Sequence, residues 1–507
     1  MRKLYYSGTI LTMEDSSEKA EILITDNNKI AYVGPDRPEY HLDCDEFIDL
    51  HGKCLMPAFI DAHSHFLSMA GSFLQVSLNE VATWEEFEDR IKVYIRQNQI
   101  PSGAWIQAVG YDQTLLPGGL HPSRSFLDRI CPESPLIVQH ISGHMGVLNS
   151  LAMKMLGLNC SEDGLLQETE FVECLKKVPA PDFATLLAAC EKAQQIYASY
   201  GITTIQEGMM VKEMIPLYQG LLASNKLKLD VIAYADLKDA DRIYSAFSNG
   251  TYEHFKIGGC KIFLDGSPQG GTAWMRSPYE GTDNYGISTM SNEDVLSAVE
   301  AAVAADRQLL AHCNGDAACG QYLNALESVS KQYPSLPKTR PVLIHAQLIG
   351  LDQLSAAKKV GAIISFFVSH VFHWGDIHIR KFGFKRASAI SPAKSALKHE
   401  IPITFHTDTP VILPNLLEAV SCAVNRTTRD GIQLGIDESI SVFEALKAIT
   451  IGSAYQYFEE DKKGTLKAGK LADLVILDRC PLETPSKDLG SICIIETIKN
   501  GNTVFHI

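Results

Sequence analysis

Residues able to bind metal or move protons fall at the ends of short apolar runs in this sequence. The first run closes as Phe59-Ile60-Asp61-Ala62-His63-Ser64-His65. Residues two apart on a strand face the same way, so His63 and His65 project together, and a neutral imidazole is a common zinc ligand. A hydrogen-bonded histidine pair satisfies the same spacing, and H-x-H alone does not separate the two readings. Later runs end Leu310-Ala311-His312, Leu343-Ile344-His345 and Thr404-Phe405-His406-Thr407-Asp408. One histidine closing one strand is often a satisfied core residue. Three further strand ends bearing His or Asp, after an H-x-H on the first, are hard to obtain by chance. Imidazoles and a carboxylate meeting at one rim could hold a divalent cation and shuttle a proton.

A further run carries a cation where none belongs: Gly258-Gly259-Cys260-Lys261-Ile262-Phe263-Leu264-Asp265-Gly266. Burying an ammonium is costly unless it is paired or chemically altered. One reading is an ion pair with Asp265 or another carboxylate, since buried lysines are usually paired. The other is reaction with CO₂ to give a carbamate, an anionic oxygen ligand that bridges two metals.

These residues need a scaffold that brings distant strand ends together. Eight apolar runs without alternation span Leu55–Ile60, Ile202–Ile205, Leu229–Ala233, Cys260–Leu264, Gln308–Ala311, Val342–Ile344, Ala362–Phe366 and Ile401–Thr404. Continuous runs of this kind read as strands buried on both faces of a parallel sheet, and helical segments such as Asn292–Ala305 lie between several of them. The pattern predicts an α/β chain built on a (β/α)₈ TIM barrel (residues 55–454), whose chemistry sits where its strands end. Residues 66 to about 200 are too long for one loop and predict an inserted subdomain over that mouth, after the first barrel strand. The two chain ends, residues 1–54 and 455–507, are β-rich, with Asn500-Gly501-Asn502 reading as a hairpin turn. Together they predict one small composite β-sandwich domain.

Composition narrows the function. The 507 residues hold 45 Lys+Arg against 60 Asp+Glu, a net charge of −15. That balance argues against nucleic acid and against an anionic membrane surface as partners, since both need clustered cations. The N-terminus lacks a secretory apolar region, no apolar run is long enough to span a bilayer, and the 12 cysteines form no C-x-x-C pair. The expected setting is cytoplasmic, with reduced, buried thiols.

The stretch Met56–His65, with the later strand-end His, His and Asp, resembles the metal-dependent amidohydrolase superfamily. So does the closing phrase Gly464-Thr465-Leu466-Lys467-Ala468-Gly469-Lys470-Leu471-Ala472-Asp473-Leu474-Val475-Ile476-Leu477-Asp478. Gly143–Ser150, Lys261–Ser267, His312–Ala318 and His370-Val371-Phe372-His373-Trp374-Gly375-Asp376 are similar to the YtcJ-like branch (amidohydrolase family 3), which includes N-substituted formamide deformylase. The resemblance implies a hydrolase of a non-peptide carbon–nitrogen bond, with an N-substituted formamide or N-acyl amine as substrate. A cyclic amide, carbamate or ester on the same scaffold is the alternative, and a non-catalytic metal-containing regulatory protein is another.

It further implies that His63 and His65 bind one metal, His312 and His345 a second, and that Lys261, as a CO₂-derived carbamate, bridges them. Asp408 becomes both ligand and proton shuttle. The ion is expected to be zinc, one or two per chain. Where branch members often show Glu-His on the sixth strand this chain has Ile344-His345, and His406 replaces a small residue before Thr407-Asp408, making His406 a candidate substrate contact. His144 is the candidate for binding the substrate or the developing oxyanion, with a structural turn histidine as the alternative. Asp112 is a second substrate candidate, with a turn or capping role as its alternative. Trp374 either lines the pocket or simply packs. The expected partner is a small amide, and a homodimer is the assembly to test.

Overall fold

The computed structural model describes residues 1–15, 19–142, 145–158, 163–248, 250 and 252–507. It divides into two compact units, one formed by Met1–Phe66 with Ala193–Ile507, the other by Leu67–Lys192.

The larger unit is organised by eight parallel strands: β1 (Phe59–Ile60), β2 (Ile202–Met210), β3 (Asp230–Asp236), β4 (Phe255–Phe263), β5 (Gln308–Cys313), β6 (Val342–His345), β7 (Ile363–Phe366) and β8 (Ile403–Phe405). They lie in chain order across one sheet, a mixed α/β, TIM-barrel-like arrangement. Helices Ile215–Ala223, Ala240–Phe247, Asn292–Ala304, Asp316–Ser330, Leu354–Lys359 and His370–Ala387 connect successive strands from β2 onward. The sheet curls until its ends meet: Asp408 N donates to His63 O at 3.1 Å and His65 N to Thr409 O at 2.8 Å. Ile60, Ile232, Tyr234, Leu310, Val342, Ile344 and Ile363 fill the interior together with Ala454 and Tyr457. That is why these strands carry uninterrupted apolar runs.

The first run departs from expectation. Cys54–Pro57 pairs antiparallel with Leu474–Leu477, leaving only Phe59–Ile60 in the barrel sheet. Pro57 has no N–H for a further ladder bond, and the chain changes sheets there. His63 and His65 therefore lie on a bend beyond β1, so strand alternation is not what aligns them.

Strands from both chain ends share one six-stranded sheet, in which Cys54–Pro57 and Thr9–Leu11 lie beside Leu474–Leu477 and Ile494–Lys499. A four-stranded sheet of residues 2–49 packs against the same core through Tyr5, Leu23 and Ile30, which meet Leu55, Leu474, Ile476 and Ile498. Lys499 and Asn502 close the expected hairpin.

Ion pairs fasten this core to β3. The Asp230 carboxylate accepts Lys463 Nζ at 2.5 Å, Lys499 Nζ at 2.8 Å and His254 Nδ1 at 2.8 Å. Burial alone would raise its pKa, but the two ammonium groups hold it well below the usual carboxylate range.

The inserted unit carries a five-stranded sheet in the order Leu165–Gln167, Met145–Leu148, Leu136–His140, Ile106–Tyr111 and Val76–Ser77. Helices Trp84–Gln97 and Arg124–Ile130 contribute Phe87, Ile91 and Leu127 to its core. All the cysteines among the described residues except Cys44 and Cys493 are buried. No helix among the described residues is long and apolar enough to cross a membrane.

Replacing Asp230 with Ala leaves Lys463 and Lys499, each 3 % exposed, short of their shared counter-charge. Lys463 keeps Glu459 and Lys499 keeps Asp473, each at 2.8 Å. The loss should therefore stay below the roughly 3 kcal/mol of a fully orphaned buried charge, and denaturant unfolding of D230A should show a moderate loss of stability. An unchanged midpoint would show that the network is dispensable.

Candidate metal centre

Strand register sets the site. His312 pairs beside Phe263 and Ile344, His345 beside Cys313 and Phe366, and Phe366 beside Phe405. The C-terminal ends of β4 to β8 are thereby level, and the chain beyond β1 closes the ring.

Asp408 lies between the two H-x-H rings, its Oδ1 3.5 Å from His63 Nε2 and 3.5 Å from His65 Nε2. His63 Nδ1 meets the Gln206 carbonyl at 2.5 Å, while Gln206 Nε2 donates to Ala62 O and to Tyr457 OH. An acceptor on Nδ1 places the ring proton there and leaves Nε2 as a lone pair toward Asp408. Tyr218 donates to Glu207, whose other oxygen stands 4.0 Å from His65 Nδ1.

A second file of rings continues from there. His312 Nδ1 is 3.1 Å from His345 Nε2, His345 Nδ1 is 3.1 Å from His406 Nε2, and His406 Nδ1 is 2.8 Å from Ser365 Oγ. His312 Nε2 reaches Gly266 O at 3.3 Å. The files join at ring separations of 5.7 Å between His63 and His345 and 5.3 Å between His63 and His406. Lys261, fully buried, places Nζ 3.2 Å from His63 Nε2.

Asp265 is not the lysine's partner. Its carboxylate accepts the backbone N–H groups of Asn314, Gly315 and Trp274, and lies 3.6 Å from His312 Nε2. The ion-pair reading of Lys261 with Asp265 is therefore corrected: the turn after β5 takes up the aspartate.

Burial dominates the electrostatics. It lowers His312 to about 4 and His406 to about 3, and drives His63 and His345 well below the ordinary histidine value. Burial also lowers Lys261 to about 7 against the opposing pull of Asp408. For Asp408, burial acts upward but is outweighed by the hydrogen bond from His65 and the fields of His345 and His63, leaving the carboxyl well below its usual range. Neutral imidazoles around an ionised carboxylate are the donor set a divalent cation requires.

Ligand atoms of His63, His345 and Asp408 all lie within 4.8 Å of one another. Zinc bonds of about 2.0–2.1 Å place two ligand atoms of one ion at most about 4.2 Å apart, so the donor chemistry fits a cation and the ligand atoms need to draw in by about half an ångström to share one.

Backbone strain accompanies two of these side chains. His345 (φ 71°) and Asp408 (φ 53°) occupy the left-handed region, which non-glycine residues enter only where surrounding structure enforces it. Ala346 N on Cys313 O and Asp408 N on His63 O supply that enforcement.

Of the residues singled out in the sequence, His63, His65, Lys261, His312, His345, His406 and Asp408 share this cluster. His406, a candidate substrate contact, is fully buried, with both ring nitrogens in protein hydrogen bonds. Trp374 stands on the helix after β7, 5.9 Å from Phe367, whose ring lies 5.4 Å from His406. Asp112 belongs to the inserted unit, where Oδ1 accepts Thr114 N at 2.8 Å and Thr114 Oγ1 at 2.6 Å in a turn. His144 lies outside the described residues. Sequence reasoning passed over Gln206 and Asp61. The buried Asp61 carboxylate accepts Thr407 Oγ1 at 2.7 Å and the N–H of His63 at 3.3 Å, tying the first and last strand ends together. Its place in an apolar run two residues before His63 was the available signal.

The model of the amidohydrolase family matches residues 46–505. The chain belongs to the amidohydrolase family. It is similar to Protein LONG AFTER FAR-RED 3 of Arabidopsis thaliana, with 27 % identity over 99 % of this chain and 91 % of that one. At 23 % identity it matches putative amidohydrolase YtcJ of Bacillus subtilis (100 % and 99 % of the two chains) and N-substituted formamide deformylase of Arthrobacter pascens (98 % and 96 %). Among solved structures it resembles an uncharacterized metal-dependent hydrolase from Pyrococcus furiosus, with a TM-score of 0.79, 28 % identity, and coverage of 95 % of this chain and 100 % of that one.

The depressed histidines give the metal-free protein a defined pH response. Unfolded histidines titrate near 6.5, whereas His312 and His406 fold with values of about 4 and 3. Between those limits the unfolded chain binds more protons, so stability rises with pH there. Asp61 and Asp265, raised by burial to about 7, act oppositely between about 4 and 7. Seven histidines (63, 121, 312, 345, 370, 378 and 406) are lowered against these two acids. The melting temperature of chelator-treated protein should therefore fall as pH drops from 6.5 toward 4. A flat or rising profile would contradict neutral, buried rings.

Proposed function

We propose that this amidohydrolase-family chain is a metal-dependent hydrolase of non-peptide carbon–nitrogen amide bonds, with an N-substituted formamide or N-acyl amine as substrate class. The observation that carries the reading is the convergence of His63, His345 and Asp408, with Asp408 aligned on both H-x-H rings. The likeness to the formamide deformylase spans nearly the whole chain and supports the choice of bond.

His63, His65 and Asp408 would hold one ion and His312 and His345 a second, with Lys261 between them as the carbamate. Zinc is the proposed metal. A divalent cation there supplies acidity to water, from about 15.7 to near 7, and polarises a carbonyl. The remaining chemistry belongs to the side chains. Asp408 accepts a proton from the attacking water and delivers it to the amide nitrogen as the C–N bond breaks. One C–O bond forms, one C–N bond breaks, and the products are a carboxylic acid and an amine. Lys261 is suited to carbamate formation because its buried amine, held near pH 7, keeps a neutral, nucleophilic fraction.

Asp408→Asn removes the proton acceptor while keeping shape and an oxygen ligand. It should retain most of its metal by elemental analysis and lose turnover of the best amide in an N-formyl, N-acyl and cyclic-amide panel by at least about 10²-fold. Full turnover in D408N would sink the proposed mechanism, and wild-type protein with metal but no turnover would point to a structural metalloprotein. Lys261→Ala should lose activity and regain part of it when a short carboxylic acid is supplied. Full metal content and activity in K261A would eliminate the carbamate.

A further inference from the structure

A second glutamine repeats the arrangement that prepares His63, on a histidine the chemistry above does not use. Gln347 follows β6 and its side chain is completely buried. Its carbonyl oxygen faces His370 Nδ1, and its amide donates to His378 Nδ1 at 3.2 Å. An amide has one accepting end and one donating end, so a single glutamine dictates both tautomers. His370 must carry its proton on Nδ1, and His378 must accept there.

Burial drives His370 well below the ordinary histidine value, with His378 adding to the effect. A neutral ring carries one proton, so its Nε2 is a bare lone pair. The two rings differ at this second nitrogen. His378 Nε2 is sealed in the interior without a partner, whereas among the described residues the His370 ring is hydrogen-bonded only through Nδ1.

His370 opens the helix His370–Ala387, immediately after β7. Phe367 stacks on it at 4.3 Å and reaches His406 at 5.4 Å and His345 at 6.3 Å, while Trp374 stands edge-on at 4.8 Å. His370 thus stands one aromatic ring away from the histidine file, in an apolar wall where an unpaired acceptor is costly.

We propose that Gln347 presets His370 as a hydrogen-bond acceptor, and that His370 Nε2 receives the N–H of a secondary amide substrate. Gln347 is then a positioning residue and His370 a residue that selects N–H-bearing amides over tertiary ones. A site built around an unpaired acceptor rejects ligands without the matching donor. The substrate half rests on the amide-hydrolase reading, whereas the preset tautomer does not.

The test uses the full-length, zinc-loaded protein with ¹⁵N-labelled histidine, His370 being assigned by its loss in His370→Gln or, should that variant misfold, by its change in Gln347→Met. In wild type, His370 Nε2 should resonate as an unprotonated nitrogen. It should shift on titration with N-methylformamide, which has an N–H, and stay still with N,N-dimethylformamide, which has none. Gln347→Glu keeps an acceptor against Nδ1 and should preserve both results. Gln347→Met removes it, should let Nε2 become protonated, and should weaken N-methylformamide binding about tenfold, the worth of one hydrogen bond, with metal content unchanged. A protonated Nε2 in wild type, equal shifts with both amides, or no shift with either overturns the proposal. Wild type that hydrolyses no amide yet shows the selective shift would refute the hydrolase reading and leave standing the preset acceptor that selects N–H-bearing amides as ligands.

Discussion

The site depends on one constraint: a carboxylate kept ionised where water is scarce. Asp408 is drawn below its usual range only because His65 donates to it and His63 and His345 face it. Remove that anion and the neighbouring imidazoles can still ligate a cation through their lone pairs, but the site loses its proton acceptor and the charge that offsets the ion. Remove the imidazoles and burial would protonate the acid. The histidines also answer to burial, which keeps them neutral and hence able to ligate. Anion and rings are useful only together, so residues from β1, β6 and β8 must arrive at one place.

The barrel-like sheet brings them there, but its ends need fastening. Asp61 spans the seam by holding Thr407 and the His63 backbone, and Tyr457 donates to Asp61 O from the helical segment beneath. His345 and Asp408 accept left-handed backbone as part of the arrangement. The strain is local and the restraint comes from neighbouring strands, which keeps the side chains aimed without lengthening any loop. At the opposite end, Asp230 gathers Lys463 and Lys499, so residues from the far C-terminus secure the third strand. Rim and floor are therefore held by different physics: hydrogen-bonded closure above, ion pairing below.

Much of this was legible because its signals are one-dimensional. A strand buried on both faces reads as an apolar run, and a histidine ending such a run is visible without a structure. The eight barrel strands, though not the extent of the first, and the clustered histidines followed from that, while the metal roles of Lys261 and Asp408 came from the family resemblance. What escaped needed three dimensions. The break at Pro57 looks like continuous apolar sequence, yet it divides one run between two sheets. Asp265 stands close to Lys261 in sequence but turns to the backbone N–H groups of Asn314 and Gly315 after β5 and of Trp274 after β4, because three convergent donors satisfy a carboxylate better than one buried amine. Gln206 and Gln347 carry no motif at all. An uncharged amide in an apolar stretch gives no hint that it is setting the proton on a ring 143 residues away.

The choice of amides for that task follows from charge. A carboxylate behind His63 would fix the same tautomer, as in many metal sites, but it would add a second buried anion beside Asp408, and two close carboxylates do not both stay ionised. Burial by itself already pushes Asp265 to about 7, and it pushes Asp61 to about 7 with a smaller contribution from Asp408. Glutamine orients an imidazole through its dipole and adds no anion on the His63 side of Asp408, while the buried carboxylate of Glu207 stands 4.0 Å from His65 Nδ1. Under the proposed reading, one carboxylate does not neutralise even a single dication. Conversion of Lys261 from an amine to a carbamate adds negative charge at a position where no aspartate or glutamate is needed, and where burial already favours loss of the ammonium proton. A buried lysine in the fourth strand, costly as an ammonium, becomes on this argument the residue that balances the centre.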